Sequence, residues 1–134
     1  MRNFTSLMLV GLNGNHISGP IPSLLGDLKR LQVIGMSNND LTGTLPDNLS
    51  TLLALRWLDL NQNNLEGSIP ASYASLTLMN NFDLYGNQLT GTIPAFLGTF
   101  TQLSYLFLGR NFFQGPIPTS VGELSLLEYL ALDH

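Results

Sequence analysis

Asp59 and Asp83 are the two residues whose type and spacing come nearest to acid–base chemistry. Held on neighbouring strands, two carboxylates would stand about 5 Å apart, the separation used by retaining glycosidases. That chemistry also needs a pocket that excludes water and raises one partner's pKa. An open sheet offers neither, so the chain is not expected to be an enzyme. The histidines complete no site, because His16 and His134 fall at opposite ends of the sequence. No Ser-His-Asp grouping, metal cluster or phosphate loop accompanies them, and no catalytic residue, metal site or cofactor is expected.

Composition narrows the partners. The 134 residues are 44% hydrophobic and 10% charged, with a net charge of −4, which excludes an intrinsically disordered chain. Five basic residues (Arg2, Lys29, Arg30, Arg56, Arg110) are scattered and outnumbered by nine acids, so nucleic acid is not an expected partner. There is no cysteine, hence no disulfide and no thiol chemistry. No apolar run approaches the roughly 18 residues of a membrane-spanning helix.

The element that must position everything is a repeat. Asn15, Asn39, Asn63, Asn87 and Asn111 are spaced 24 residues apart, as are Pro22 to Pro118 and Gly19 to Gly115. The units run 7–30, 31–54, 55–78, 79–102 and 103–126, with a partial sixth at 127–134. Within one unit, Leu58-Asp59-Leu60 alternates with period two, a short strand with leucines inward and Asp59 outward. Such strands must stack in parallel, one per unit. The asparagines fall where each strand ends, and a buried carboxamide both donates and accepts, so they are expected to form a structural ladder. The stretch after each proline is too short for a long helix and suits a helical or 3-10 turn. Tyr73 interrupts an apolar column (Leu25, Leu49, Leu97, Val121), and its hydroxyl is expected to reach solvent at the outer edge.

The pattern L-x-x-L-x-L-x-x-N-x-L-x-G-x-I-P, as in Leu55 to Pro70, resembles a leucine-rich repeat, and its 24-residue length resembles the plant-specific subclass. The resemblance covers nearly the whole chain. It implies a right-handed α/β solenoid with a parallel concave sheet and short helical or 3-10 turns on the convex side. It further implies an extracellular or cell-surface setting, as in the ectodomains of receptor-like kinases and in polygalacturonase inhibitors. Arrays of that type usually carry flanking cysteine pairs. With none here and no polar lid at either end, the chain reads as a stretch of a longer array lacking both caps, whose apolar edges would self-associate. Two sequons, Asn3-Phe4-Thr5 and Asn48-Leu49-Ser50, are candidate glycosylation sites expected on the outer side.

Outward residues between the strand leucines would line the concave face. Early units are small and bland there, whereas later ones carry Trp57, Tyr85, Tyr105, Phe107 and Tyr129 beside Asp59, Asp83 and Arg110. Tyr105 and Tyr129 should lie about 5 Å apart, within stacking range. Exposed aromatics among charges have the make-up of a contact patch. The expected function is non-catalytic recognition of a protein, peptide or glycan on this face. Two alternatives compete with it. One is a purely structural segment whose recognition surface lies in other repeats. The other is an ice- or surface-binding array on the column Pro20, Thr44, Ser68, Thr92, Pro116, which its prolines and the neighbouring Glu66 weaken.

Overall fold

Ten short strands and five 3-10 helices alternate along residues 4–133, the residues described by the computed structural model. In chain order the strands are β1 (Leu9–Gly11), β2 (Ser18–Pro20), β3 (Val33–Gly35), β4 (Asp40–Thr44), β5 (Trp57–Asp59), β6 (Asn64–Gly67), β7 (Asn81–Asp83), β8 (Gln88–Leu89), β9 (Tyr105–Phe107) and β10 (Tyr129–Ala131). Six of them form one parallel sheet in the order β1-β3-β5-β7-β9-β10. Its register joins residues exactly one period apart, such as Leu58 with Phe82 and Phe82 with Leu106. This is the concave sheet of a leucine-rich-repeat solenoid.

One strand per unit is too few. A second parallel sheet, β2-β4-β6-β8, runs through the segments after Asn15, Asn39, Asn63 and Asn87. Two members of the column read as a possible hydroxyl array, Pro20 and Thr44, are ladder residues of this sheet, and Thr92 makes an isolated bridge to Gln114. Glycines 19, 43, 67, 91 and 115 there adopt φ between 76° and 85°, a left-handed conformation that side chains resist. The chain then turns, and each proline of the 24-residue column precedes a 3-10 helix: Ser23–Asp27, Asp47–Thr51, Ala71–Ser75, Ala95–Thr99 and Thr119–Glu123. In each helix the proline carbonyl accepts the first turn's amide, for example from Leu49 N–H to Pro46 at 3.1 Å. Every convex element among the described residues is thus 3-10; none is α-helical.

Between sheets and helices lies a single apolar core of stacked columns, including Leu31, Leu55, Met79 and Leu103. Four asparagines hold its edge. Asn63 is buried; its Nδ2 donates to the carbonyls of Met36 (2.9 Å), Leu60 (3.1 Å) and Asn61 (3.2 Å), and its Oδ1 accepts the Leu41 N–H (3.0 Å). Asn39, Asn87 and Asn111 repeat this pattern. Met36 and Leu41 belong to the preceding coil, so each carboxamide binds its own turn to the turn before. Asn15 differs. It is exposed, and among the described residues it bonds only to Leu12 and Asn13 of its own turn.

Tyr73 corrects the sequence reading. Its side chain is fully buried, and the hydroxyl donates to the Pro46 carbonyl of the preceding coil at 3.1 Å. The phenol fills a core position and ends on a backbone acceptor, and burial pushes its pKa upward. The apolar columns also lose cover at the outermost coils, where Ile117 and Leu130 are exposed.

Two stability measurements follow from these contacts. In urea unfolding, Asn63→Ala should lose about 1–3 kcal/mol, because it orphans the buried Leu41 amide and takes one of two donors from each of three carbonyls, whereas Asn15→Ala should lose clearly less. Tyr73→Phe should lose about 1 kcal/mol, the value of one neutral hydrogen bond.

Candidate functional site

On β5, β7 and β9 the central residues Leu58, Phe82 and Leu106 are fully buried. Strand alternation therefore sends their neighbours outward: Trp57 and Asp59, Asn81 and Asp83, Tyr105 and Phe107. The parallel register lays these in two rows, Trp57–Asn81–Tyr105–Tyr129 and Asp59–Asp83–Phe107–Ala131. A third row, just past the strands, holds Asn61, Tyr85 and Gly109.

Four of the expected aromatics form one continuous cluster. Tyr105 and Tyr129 stack nearly parallel, 8° between planes with centroids 5.1 Å apart. Tyr105 also meets Phe107 at 6.3 Å and Trp57 at 6.3 Å, both tilted. Trp57 and Tyr129 remain well exposed, with 41% and 54% of their surface open. Trp57 and Tyr105 stand on strands two apart, roughly 9.6 Å at ordinary strand spacing. Their rings lean together across the intervening coil.

The carboxylates form a second group. Asn61 donates from Nδ2 to Asp59 Oδ1 (2.8 Å) and to Asp83 Oδ2 (2.9 Å), tying adjacent coils. Asp83 Oδ1 accepts the Tyr85 N–H at 3.0 Å. Partial burial holds the Asp83 pKa above its ordinary 3.8, with the Asp59 charge adding a smaller push; the bonds from Tyr85 and Asn61 oppose both. Both acids thus share one amide donor on an open surface. A cavity of about 170 Å³ lies elsewhere, among Ile93, Leu108, Phe113, Ile117 and Leu132.

Tyr85 and Arg110 make a third group. The guanidinium carbon stands 5.6 Å from the centre of the Tyr85 ring, in cation–π range. Arg110 has φ 48°, in the left-handed column that also holds Gly14, Asn38, Gln62 and Gly86. Gly109 makes room for this pair: a Cβ there would lie 2.6 Å from the Asp133 carbonyl and 3.0 Å from the Tyr85 ring. His16 is remote from all three groups, with Nδ1 3.5 Å from Asp40 Oδ2 and both side chains exposed.

Two residues of the face were not singled out by sequence. Asn61 bridges the acids, and Asn81 sits in the aromatic row yet is only 3% exposed. A polar residue in a column otherwise made of Leu9, Val33, Trp57, Tyr105 and Tyr129 was the available signal. Of the two sequons, Asn3 lies outside the described residues. Asn48 is half-buried in the helix Asp47–Thr51, and its Nδ2 donates to the Ser23 carbonyl of the preceding coil, so a glycan on that nitrogen would displace the bond.

The family model described as Leucine Rich Repeat matches residues 6–28, 30–52, 54–76 and 79–100. The chain belongs to the leucine-rich repeat family. Its solved neighbours place it among plant-type arrays. The plant peptide hormone receptor RGFR1, solved in complex with RGF2, is 35% identical with a TM-score of 0.94; the match covers 96% of this chain and 21% of that one. The Arabidopsis receptor kinase HAESA, solved with the peptide hormone IDA and the co-receptor SERK1, is 35% identical with a TM-score of 0.91, over 95% of this chain and 22% of that one. The leucine-rich-repeat ectodomain of the receptor kinase SOBIR1 from Arabidopsis thaliana is 28% identical with a TM-score of 0.89, over 92% and 68%. This leucine-rich-repeat chain therefore spans about a fifth of the first two receptors' solved length. No curated protein matches it in sequence. Among the described residues no helix is long and apolar enough to cross a membrane.

The raised Asp83 pKa has a definite sign. The folded chain holds that proton more tightly than the unfolded one, so this residue's contribution to stability falls as pH rises from 3.8 through the raised value. Urea midpoints measured between about pH 3 and 7 should therefore show a flatter pH dependence in Asp83→Asn than in the parent.

Proposed function

We propose that this chain is a non-catalytic recognition module that binds an extended peptide or protein segment on its concave face, between Trp57 and Tyr129. One observation carries the reading: the continuous, solvent-facing cluster of Trp57, Tyr105, Phe107 and Tyr129. Rings held by their neighbours lose little freedom on contact, and such aromatics dominate binding energy where they occur at interfaces. The neighbouring charges, Asp59 and Asp83 in the next row and Arg110 beyond it, give the patch polarity and hence register for a ligand. Support also comes from the neighbours, since RGFR1 was solved with RGF2 and HAESA with a peptide hormone. The same likeness supports an extracellular setting, in which the chain would be part of a receptor-like protein.

A glycosidase-like role for Asp59 and Asp83 fits the geometry poorly. Their shared donor Asn61 occupies the space that a water or a sugar oxygen would need between them.

Pull-down from the source tissue, followed by titration of the captured ligand, tests the proposal. Replacing Trp57 and Tyr105 together by serine should weaken binding by about 100-fold or more, at roughly 2 kcal/mol for each of two anchors, without changing the fold seen by circular dichroism. Affinity unchanged in the double variant would remove this face from consideration.

A further inference from the structure

Tyr105 and Tyr129 are the one pair of tyrosines in ring contact among the described residues. The parallel register makes them direct partners on β9 and β10. Strands that run parallel and in register carry paired side chains out in the same direction, so the two phenols lie side by side. Their planes differ by 8° with centroids 5.1 Å apart, and 54% of the Tyr129 surface is open. The other two tyrosines are placed differently. Tyr73 is fully buried with its hydroxyl on the Pro46 carbonyl, and Tyr85 lies against the Arg110 guanidinium, whose charge opposes the loss of an electron nearby.

The geometry points to Tyr105 and Tyr129 as a site of oxidative coupling, where a heme peroxidase fed with hydrogen peroxide joins the two phenols into a dityrosine cross-link. Each phenol gives up one electron and its hydroxyl proton. The radicals join by a new C–C bond between Cε carbons, ortho to the oxygens. The hydrogen on each coupled carbon then moves to the oxygen of its own ring, which becomes aromatic again. Two electrons and two protons leave in all, and one hydrogen peroxide takes them up as two waters. A carbon–carbon bond of about 1.5 Å sets the joined ring centres roughly 4.3 Å apart, so the rings at 5.1 Å close by less than about 1 Å. The torsion that turns a tyrosine ring is soft, and the exposed Tyr129 has room to use it. The link ties β10, the last strand of the concave sheet, to the strand before it. Cover is thinnest there, since Leu130 is 48% exposed while Leu58, Phe82 and Leu106 of its column are fully buried. The chain has no cysteine, so no disulfide does this work.

The test treats the dilute full chain with a heme peroxidase and hydrogen peroxide, and in parallel with a photo-excited ruthenium complex and persulfate, which needs no enzyme to dock. The intact mass should fall by two hydrogens, and cleavage after Arg56 and Arg110 should leave fragments 57–110 and 111–134 joined. Phenols held side by side react at an effective concentration far above that of the dilute chain, so the internal link should outrun covalent dimers by about tenfold or more. Tyr105→Phe keeps a ring in the stack and should cut the joined fraction by about tenfold or more, whereas Tyr85→Phe should leave it unchanged. Unfolding in urea should slow the joining by a similar factor. In the linked chain, amide hydrogen exchange across β10 should slow by about tenfold or more. Dimers forming ahead of the internal link, joining that survives Tyr105→Phe or runs as fast in urea, or a mass loss confined to fragment 57–110 would each overturn the inference. So would the absence of a two-hydrogen loss with both oxidants, and a link that leaves exchange across β10 unchanged would overturn its role as a tie.

Discussion

The solenoid depends on one hydrogen-bonding pattern: a buried carboxamide at the end of each concave strand that joins its own turn to the one before. Where the chain leaves β5 the Leu60 carbonyl is met by carboxamides rather than by a backbone amide of the next coil. Asn63 answers with two donor hydrogens shared among three carbonyls and one acceptor for the Leu41 amide. No other side chain of that size both gives and receives at that point. Aspartate lacks the donors, and leucine lacks everything. Because each carboxamide reaches back one coil, the bonds fix the stagger of neighbouring turns and thereby align every other column.

That alignment makes the concave face a surface with an address system. Leu58, Phe82 and Leu106 are pinned inward, so residues on either side have no choice of direction. Side chains separated by a full period become lateral neighbours, and chemistry distant in sequence accumulates in one place: a tyrosine stack across β9 and β10, an amide bridge between two acids, a guanidinium over a ring. The scaffold fixes positions and leaves identities free, which is why members of one family can present different faces on the same frame.

Most of the architecture was legible in the sequence, because a strict period of 24 carries the stacking information in every unit. The concave strands, four of the five ladder positions, the turn prolines and the Tyr105–Tyr129 contact could all be placed from it. The second sheet could not. Its strands are as short as Gln88–Leu89 and are interrupted by glycine, so they show no alternation; pairing to the coil before, and no pattern of their own, makes them strands. Tyr73 was misplaced for a related reason. Its hydroxyl suggested solvent, but its acceptor is a backbone carbonyl 27 positions earlier, invisible to a reading of side chains alone. Asn81 was hidden because the Trp57 and Tyr105 rings, on the coils either side of it, approach to 6.3 Å across its row, a property of rotamers that spacing does not encode.

The stacking of coils also sets a ruler. Concave strands follow one another at about 4.8 Å, whereas an extended polypeptide advances only about 3.3 Å per residue. Any chain laid crosswise over this sheet therefore runs against it like a vernier scale, and about three of its residues pass for every two coils (about 9.9 against 9.6 Å). Only about every third residue falls squarely on a protein column, and those coincidences would decide which sequences fit.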